Sequence, residues 1–361
     1  MRIILLSILL AISGLSDAMP VQDMCHADSV YFNSKDGKVT FGATFSKPVN
    51  VRSFPTVILV SGTGKQDRDG TMAGHKIFLE IASYLNQNGI AVLRTDDRGV
   101  GKTTGVYETA TTQDFADDAL AALQYLQSRS DVDQAKIGML GHSEGGAVVA
   151  IAASKSKGVK FVISIAGLAM SGFDALVKQN EDLVLHSAMP DYDKKRSNEI
   201  NNLMFKTAYQ YAQSDSLEAK LNETYLAWKA KDDVYFKSLN IKFDHFRFPV
   251  YSYVKNATGP WYRYFIKYNA KSVVSKIKVP ILALNGSKDI MVAPSENLAN
   301  WKNFAKAGGN KYVMIMEMPG LNHLFLNCIT CDNAESKTIK TGFSTDALLT
   351  IKNWIIKTVQ K

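Results

Sequence analysis

The chain has 361 residues, of which 46% are hydrophobic and 21% charged, with a formal net charge of +8. That balance excludes a disordered chain, and the length suits one large α/β unit with insertions. The 42 basic residues are interleaved with 34 acidic ones, as over residues 228–233, and there is no dense basic run, so the charge reads as surface and no nucleic-acid partner is expected.

Met1-Arg2 precedes an apolar run over residues 3–15, and Ser16-Asp17-Ala18 then supplies small residues where a signal peptidase reads them. This pattern predicts a signal peptide over residues 1–18 and an exported protein, periplasmic or secreted. The run is short for a bilayer span, so no stable membrane insertion is expected after cleavage. In an oxidising compartment Cys328 and Cys331 pair locally, or either one reaches Cys25; the spacing leaves both open. No set of metal ligands accompanies these cysteines, and no metal is expected.

Residues 29–32 and 38–45 alternate in hydropathy around Asp36-Gly37, which predicts a hairpin. Short, nearly continuous apolar runs follow at 56–60, 90–94, 136–140, 161–165, 279–284 and 312–316. Runs of this kind mark strands covered on both faces. Helical patterns separate them. In the clearest, over 112–126, Phe115, Ala119, Ala122 and Leu126 share a face, and Asp114, Asp117 and Asp118 lie in the early turns favoured by the helix dipole. The alternation predicts an α/β fold: a mostly parallel sheet with helices on both faces. Residues 168–270 carry no strand pattern and read as an inserted helical cap, with 217–228 an amphipathic segment. The expected division is therefore a signal at 1–18, core at 19–167, cap at 168–270 and core again at 271–361.

Gly141-His142-Ser143-Glu144-Gly145-Gly146 lies between the 136–140 strand and a helical run over 147–153. A Gly-x-Ser-x-Gly turn between strand and helix holds its serine in a strained conformation and exposes the hydroxyl, so Ser143 is the candidate nucleophile. A serine hydroxyl needs a base. His142 adjoins the serine but is poorly placed to turn back on it. His323 follows the last strand and is the candidate base. Asp289, directly after the 279–284 strand, is the carboxylate that orients it. The order Ser143, Asp289, His323 matches the chain order of one known triad arrangement. Two backbone N–H groups are expected to hold the oxyanion, those of Glu144 and of Thr63 in Ser61-Gly62-Thr63-Gly64. Gly101-Lys102-Thr103 and Gly62-Thr63-Gly64-Lys65 end like phosphate loops but lack the required companion residues.

Together with the blocks at 60–70, 96–102, 137–146 and 319–325, these motifs resemble exported bacterial α/β-hydrolases related to the EstD-type esterases and to serine aminopeptidase-like hydrolases. The likeness covers about residues 28–360. It departs at Ser61 and Lys65, where relatives often carry His and Pro. The resemblance implies the α/β-hydrolase fold, hydrolysis of a small-molecule carboxylic ester, no cofactor, and a cap shaping the acyl and alcohol pockets. It also supports Ser143, Asp289 and His323 as catalytic residues. Asp67-Arg68-Asp69 and Asp97-Arg98 are expected to form ion pairs that fix loops. Two other readings stand beside it: an aminopeptidase or amidase gripping a free amine with Glu181, Asp182 or Glu199, and a non-catalytic binding protein on the same scaffold.

Overall fold

The computed structural model of the chain describes residues 25–49, 51 and 53–360. The expected signal segment lies outside the described residues. Strands β1 (Cys25–Asn33), β2 (Thr40–Pro48) and β3 (Thr56–Val60) come first, followed by the two-residue strands β4 (Thr71–Met72) and β5 (His75–Lys76). The remaining strands are β6 (Ala91–Thr95), β7 (Ile137–His142), β8 (Val162–Ile165), β9 (Ile281–Gly286) and β10 (Val313–Met318). Eight of them form one sheet in the order β1-β2-β6-β3-β7-β8-β9-β10, while β4 and β5 pair only with each other. β2 is antiparallel to β1 and β6, and every other pairing in the large sheet is parallel. The expected mostly parallel sheet is thus present, with strand ends shifted by a few residues.

Both faces of the sheet are covered, and the side chains divide with the two-residue period of a strand. Val57 and Leu59 of β3 and Leu282 and Leu284 of β9 enter a core with α1 (Ile77–Gln87) and the last helix, α12 (Thr345–Val359). Ile58, Val60, Ile281 and Ala283 point the other way, against α2 (Thr112–Ser128), α3 (Glu144–Lys155) and α10 (Pro294–Ala307). α2 starts at a capping box in which Thr111 and Asp114 satisfy each other's backbone N–H groups.

Between β8 and β9 the chain is helical: α4 (Gly172–Leu185), α5 (Asp191–Tyr211), α6 (Leu217–Ser238), α7 (Val250–Ala257), α8 (Pro260–Phe265) and α9 (Ala270–Val274). The segment has its own apolar cluster, which includes Ile200, Met204, Leu221, Trp228 and Val254. Buried Arg196 binds Asp193, Asp232 and Asp244 at 2.7–2.8 Å, joining α5, α6 and the loop before α7. A short helix α11 (Asn333–Ser336) precedes α12. Cys328 and Cys331 form a local disulfide, and Cys25 is a free, half-buried thiol. No helix among the described residues is long and apolar enough to cross a membrane.

Candidate active site

β7 ends at His142 and α3 begins at Glu144, so Ser143 alone makes the turn between them, with φ 57° and ψ −124°. This is a left-handed conformation that side-chain-bearing residues rarely adopt. Neighbours on three sides hold it. Ser143 N donates to Ile165 O at 3.1 Å, and Ser143 O accepts from Gly146 N at 2.9 Å and Leu168 N at 3.1 Å. The tight turn also explains Gly141, where a Cβ would sit 2.0 Å from the Gly145 carbonyl oxygen. At Gly62 a Cβ would lie 2.8 Å from Ser143 Cβ, so glycine lets the loop after β3 come against the serine.

His323 Nδ1 is 2.8 Å from Asp289 Oδ2. The Asp289 carboxylate is further fixed by Met291 N and Val292 N on Oδ1, at 2.8 and 2.9 Å, and by Asn285 Nδ2 on Oδ2 at 3.0 Å. The Nδ1–H of His323 is therefore the donor of the pair, with Nε2 as the ring's other nitrogen. Asn322 stiffens the histidine's loop by accepting from Leu324 N and Leu326 N. His142, wholly buried under the site, carries its ring 4.8 Å from that of His323, and its Nε2 lies 3.0 Å from His323 O. Burial and the adjacent His323 push His142 down to about 3, so the ring is neutral and Nε2–H donates to that carbonyl.

A cavity of about 540 Å³ opens in front of Ser143 and His323, with Glu144, Thr63, Gly62 and Asn322 also on its wall. Its apolar lining includes Leu176 of α4, Trp261 and Phe265 of α8, Met291 and Leu324. Such a cavity suits a largely apolar small molecule.

A model of the alpha/beta hydrolase fold matches residues 55–320. This chain belongs to the α/β-hydrolase family. The esterase EstD of Thermotoga maritima is 26% identical to this α/β-hydrolase over 297 residues, or 82% of the present chain. The chain spans only 59% of the length of EstD. Among solved structures, the α/β-hydrolase GrgF from Penicillium sp. sh18 has a TM-score of 0.55 at 19% identity, over 93% of this chain and all of GrgF. Est1E from Butyrivibrio proteoclasticus, solved with ferulic acid, has a TM-score of 0.51 at 17% identity, over 92% of this chain and 100% of its own. At these identities the likeness concerns the fold.

The structure brings Ser143, His323, Glu144 and Thr63 to one cavity wall, with Asp289 bonded behind His323. It does not bring the acidic residues of the aminopeptidase reading there. Glu181 is exposed, Asp182 pairs with Lys178 at 2.6 Å, and Glu199 lies on a separate groove beside Lys206. The expected loop ion pairs are partly different. Arg68 binds Asp96 at 2.6 Å, Asp69 binds Arg94, and Arg98 binds Asp118 at 2.7 Å. Asp67 instead accepts from Asp69 N and from Thr71, and Asp97 accepts from Ser61 Oγ at 2.6 Å and Gln66 N at 2.8 Å. Both carboxylates tie loops by hydrogen bonds, because neighbouring backbone N–H groups lie closer than any cation. Burial pushes the Asp97 carboxyl up to about 7 despite those donors.

Sequence reasoning missed Asn285, Asn322, Trp261 and the side chains of His142 and Glu144. An Asn four residues before the aspartate and another just before the histidine were the available signals. Nothing in the sequence tied Trp261, 118 positions after Ser143, to the site.

Proposed function

We propose that this protein is a serine hydrolase cleaving small-molecule carboxylic esters, exported by a signal over residues 1–18 to the periplasm or beyond. One observation carries the reading: the 2.8 Å His323–Asp289 bond stands on the same cavity as a serine held in a strained turn. Asp289 holds His323 with Nδ1 protonated, so Nε2 is the basic nitrogen. His323 takes the proton of Ser143 as its oxygen attacks the ester carbonyl, and the N–H groups of Glu144 and Thr63 receive the oxyanion. Collapse expels the alcohol with that proton and leaves an acyl group on Ser143. Water, deprotonated by His323, then releases the acid. Every step uses side chains and backbone alone, and no cofactor or metal is invoked.

Esters are proposed over aminoacyl amides on the chemistry of the cavity. Among the described residues the one Asp or Glu on its wall is Glu144, and its carboxylate is occupied by three donors. A free amine would thus enter without an open acidic partner. EstD, which is similar over 82% of this chain, is an esterase. The Cys328–Cys331 disulfide suits an oxidising compartment.

A fluorophosphonate probe followed by peptide mapping tests the nucleophile, and the adduct is expected on Ser143. Ser143→Ala should lower kcat/KM on a p-nitrophenyl ester by at least about a thousandfold with little change in Tm. Unlabelled folded protein would remove the reading. Intact mass of the secreted protein tests cleavage near residue 18.

A further inference from the structure

The mechanism above uses only the backbone N–H of Glu144. Its side chain is buried, with 3% of the residue exposed, and binds three separate parts of the chain. Thr63 Oγ1, in the loop after β3, donates to Oε2 at 2.6 Å. Thr112 Oγ1, at the start of α2, donates to Oε1 at 2.6 Å. Trp261 Nε1, from α8 of the helical insertion, donates to Oε1 at 2.8 Å. One carboxylate therefore connects the loop after β3, the start of α2 and α8 of the helical insertion.

Two of these partners face the cavity. Thr63 stands between Gly62 and Gly64, and Gly64 has φ 96°, so the loop has little stiffness of its own. Asp97 anchors the two ends of the loop through Ser61 and Gln66, and its middle is held near the serine by the Thr63 hydroxyl on Glu144 and by Gly64 N on Tyr107 Oη at 2.7 Å. An oxyanion donor works only if it is already in place when charge develops. Trp261 stacks on Phe265 with ring centroids 4.9 Å apart, and both rings form cavity wall. Whatever presses on that wall also bears on the carboxylate that holds Thr63.

We propose that the Glu144 carboxylate is a positioning residue for the oxyanion loop, and that Trp261 makes its hold on Thr63 depend on the docked position of α8. An acyl group long enough to fill the cavity against Trp261 and Phe265 then raises turnover as well as affinity. Binding energy far from the reacting carbonyl is converted into alignment of the Thr63 N–H. The inference rests on the reading of Ser143 as nucleophile.

The test is steady-state kinetics on p-nitrophenyl acetate, butyrate and octanoate. Trp261→Phe keeps the aromatic stack and deletes the N–H donor. It should lower kcat on octanoate about tenfold with KM within about twofold, and abolish the rise in kcat from acetate to octanoate. Thr63→Val should do the same from the other side of the carboxylate, and Thr63→Ser should restore activity. Because both act through one group, the double variant Trp261→Phe/Thr63→Val should be no slower than Thr63→Val alone. Wild-type kcat in Trp261→Phe, or multiplicative losses in the double variant, would overturn the proposal. Should Trp261→Phe not fold, the Thr63→Val and Thr63→Ser pair decides, and equal loss in both overturns it. Fluorophosphonate labelling of the wild type separates the two levels: labelled Ser143 with these negative kinetics removes only the coupling, whereas unlabelled protein removes the ester-hydrolase reading itself.

Discussion

Ser143 and His142 are adjacent, yet their side chains do different work in the site. Both residues reach the cavity wall, but the His142 ring is buried and its Nε2 holds the backbone of His323, 181 positions away. Its neutrality has a consequence for acid stability. The folded protein keeps His142 unprotonated down to about 3, whereas the unfolded chain takes up that proton near its ordinary value of 6.5. Below about pH 6.5 the unfolded state binds more protons, so the stability contributed by the neutral ring is complete above that pH and is lost on acidification toward 3. His142→Gln, which retains an N–H donor without a titrating ring, should show a shallower fall in Tm than the wild type between pH 6.5 and 4 in thermal unfolding. Parallel curves would contradict the assignment. The sequence marked His142 as part of the elbow and unsuited to act on Ser143, but its partner lies on a loop that only the fold brings near.

The strand–turn–helix unit of β7, Ser143 and α3 is where local sequence is most informative. Glycines at 141, 145 and 146 bracket one serine, and the apolar run before them is buried throughout as β7. Gly141→Ala would drive a Cβ to 2.0 Å from a backbone carbonyl, which no rotamer change relieves. It should destabilise the protein by more than about 3 kcal/mol in urea unfolding, as overpacking against rigid backbone does. Other element limits were less legible. α3 begins at Glu144 and not near residue 147, because the turn itself is the first step of the helix. α6 runs on to Ser238, past the amphipathic stretch 217–228, since Asp232 is buried against Arg196 and that ion pair has no local signature.

Across the whole molecule, the helical insertion is secured by polar as well as apolar contacts. Arg196 has a 2% exposed side chain and meets three aspartates, two of them nearly as buried. Removing one partner of a buried ionic group leaves uncompensated charge, at a cost of about 3–5 kcal/mol. Arg196→Ala should therefore lower the Tm markedly and open residues 168–270 to limited proteolysis before the sheet core is cut. Cleavage sites spread evenly over the chain would show that the insertion does not loosen separately.

The sequence by itself determined the sheet strands, the helix layers and the separate stretches that carry Ser143, Asp289, His323, Glu144 and Thr63. Hydrophobic periodicity and turn glycines are local, and strands buried on both faces have no other way to satisfy their backbone and side chains. Asp289 as the partner of His323 was already an expectation of the sequence; tertiary structure alone decided which other distant groups meet, His142 with His323 O and the Glu144 carboxylate with Thr63, Thr112 and Trp261. Those contacts depend on strand order and on where the helical insertion settles, and a hydrogen bond between residues 32 to 181 positions apart leaves no period for a sequence to show.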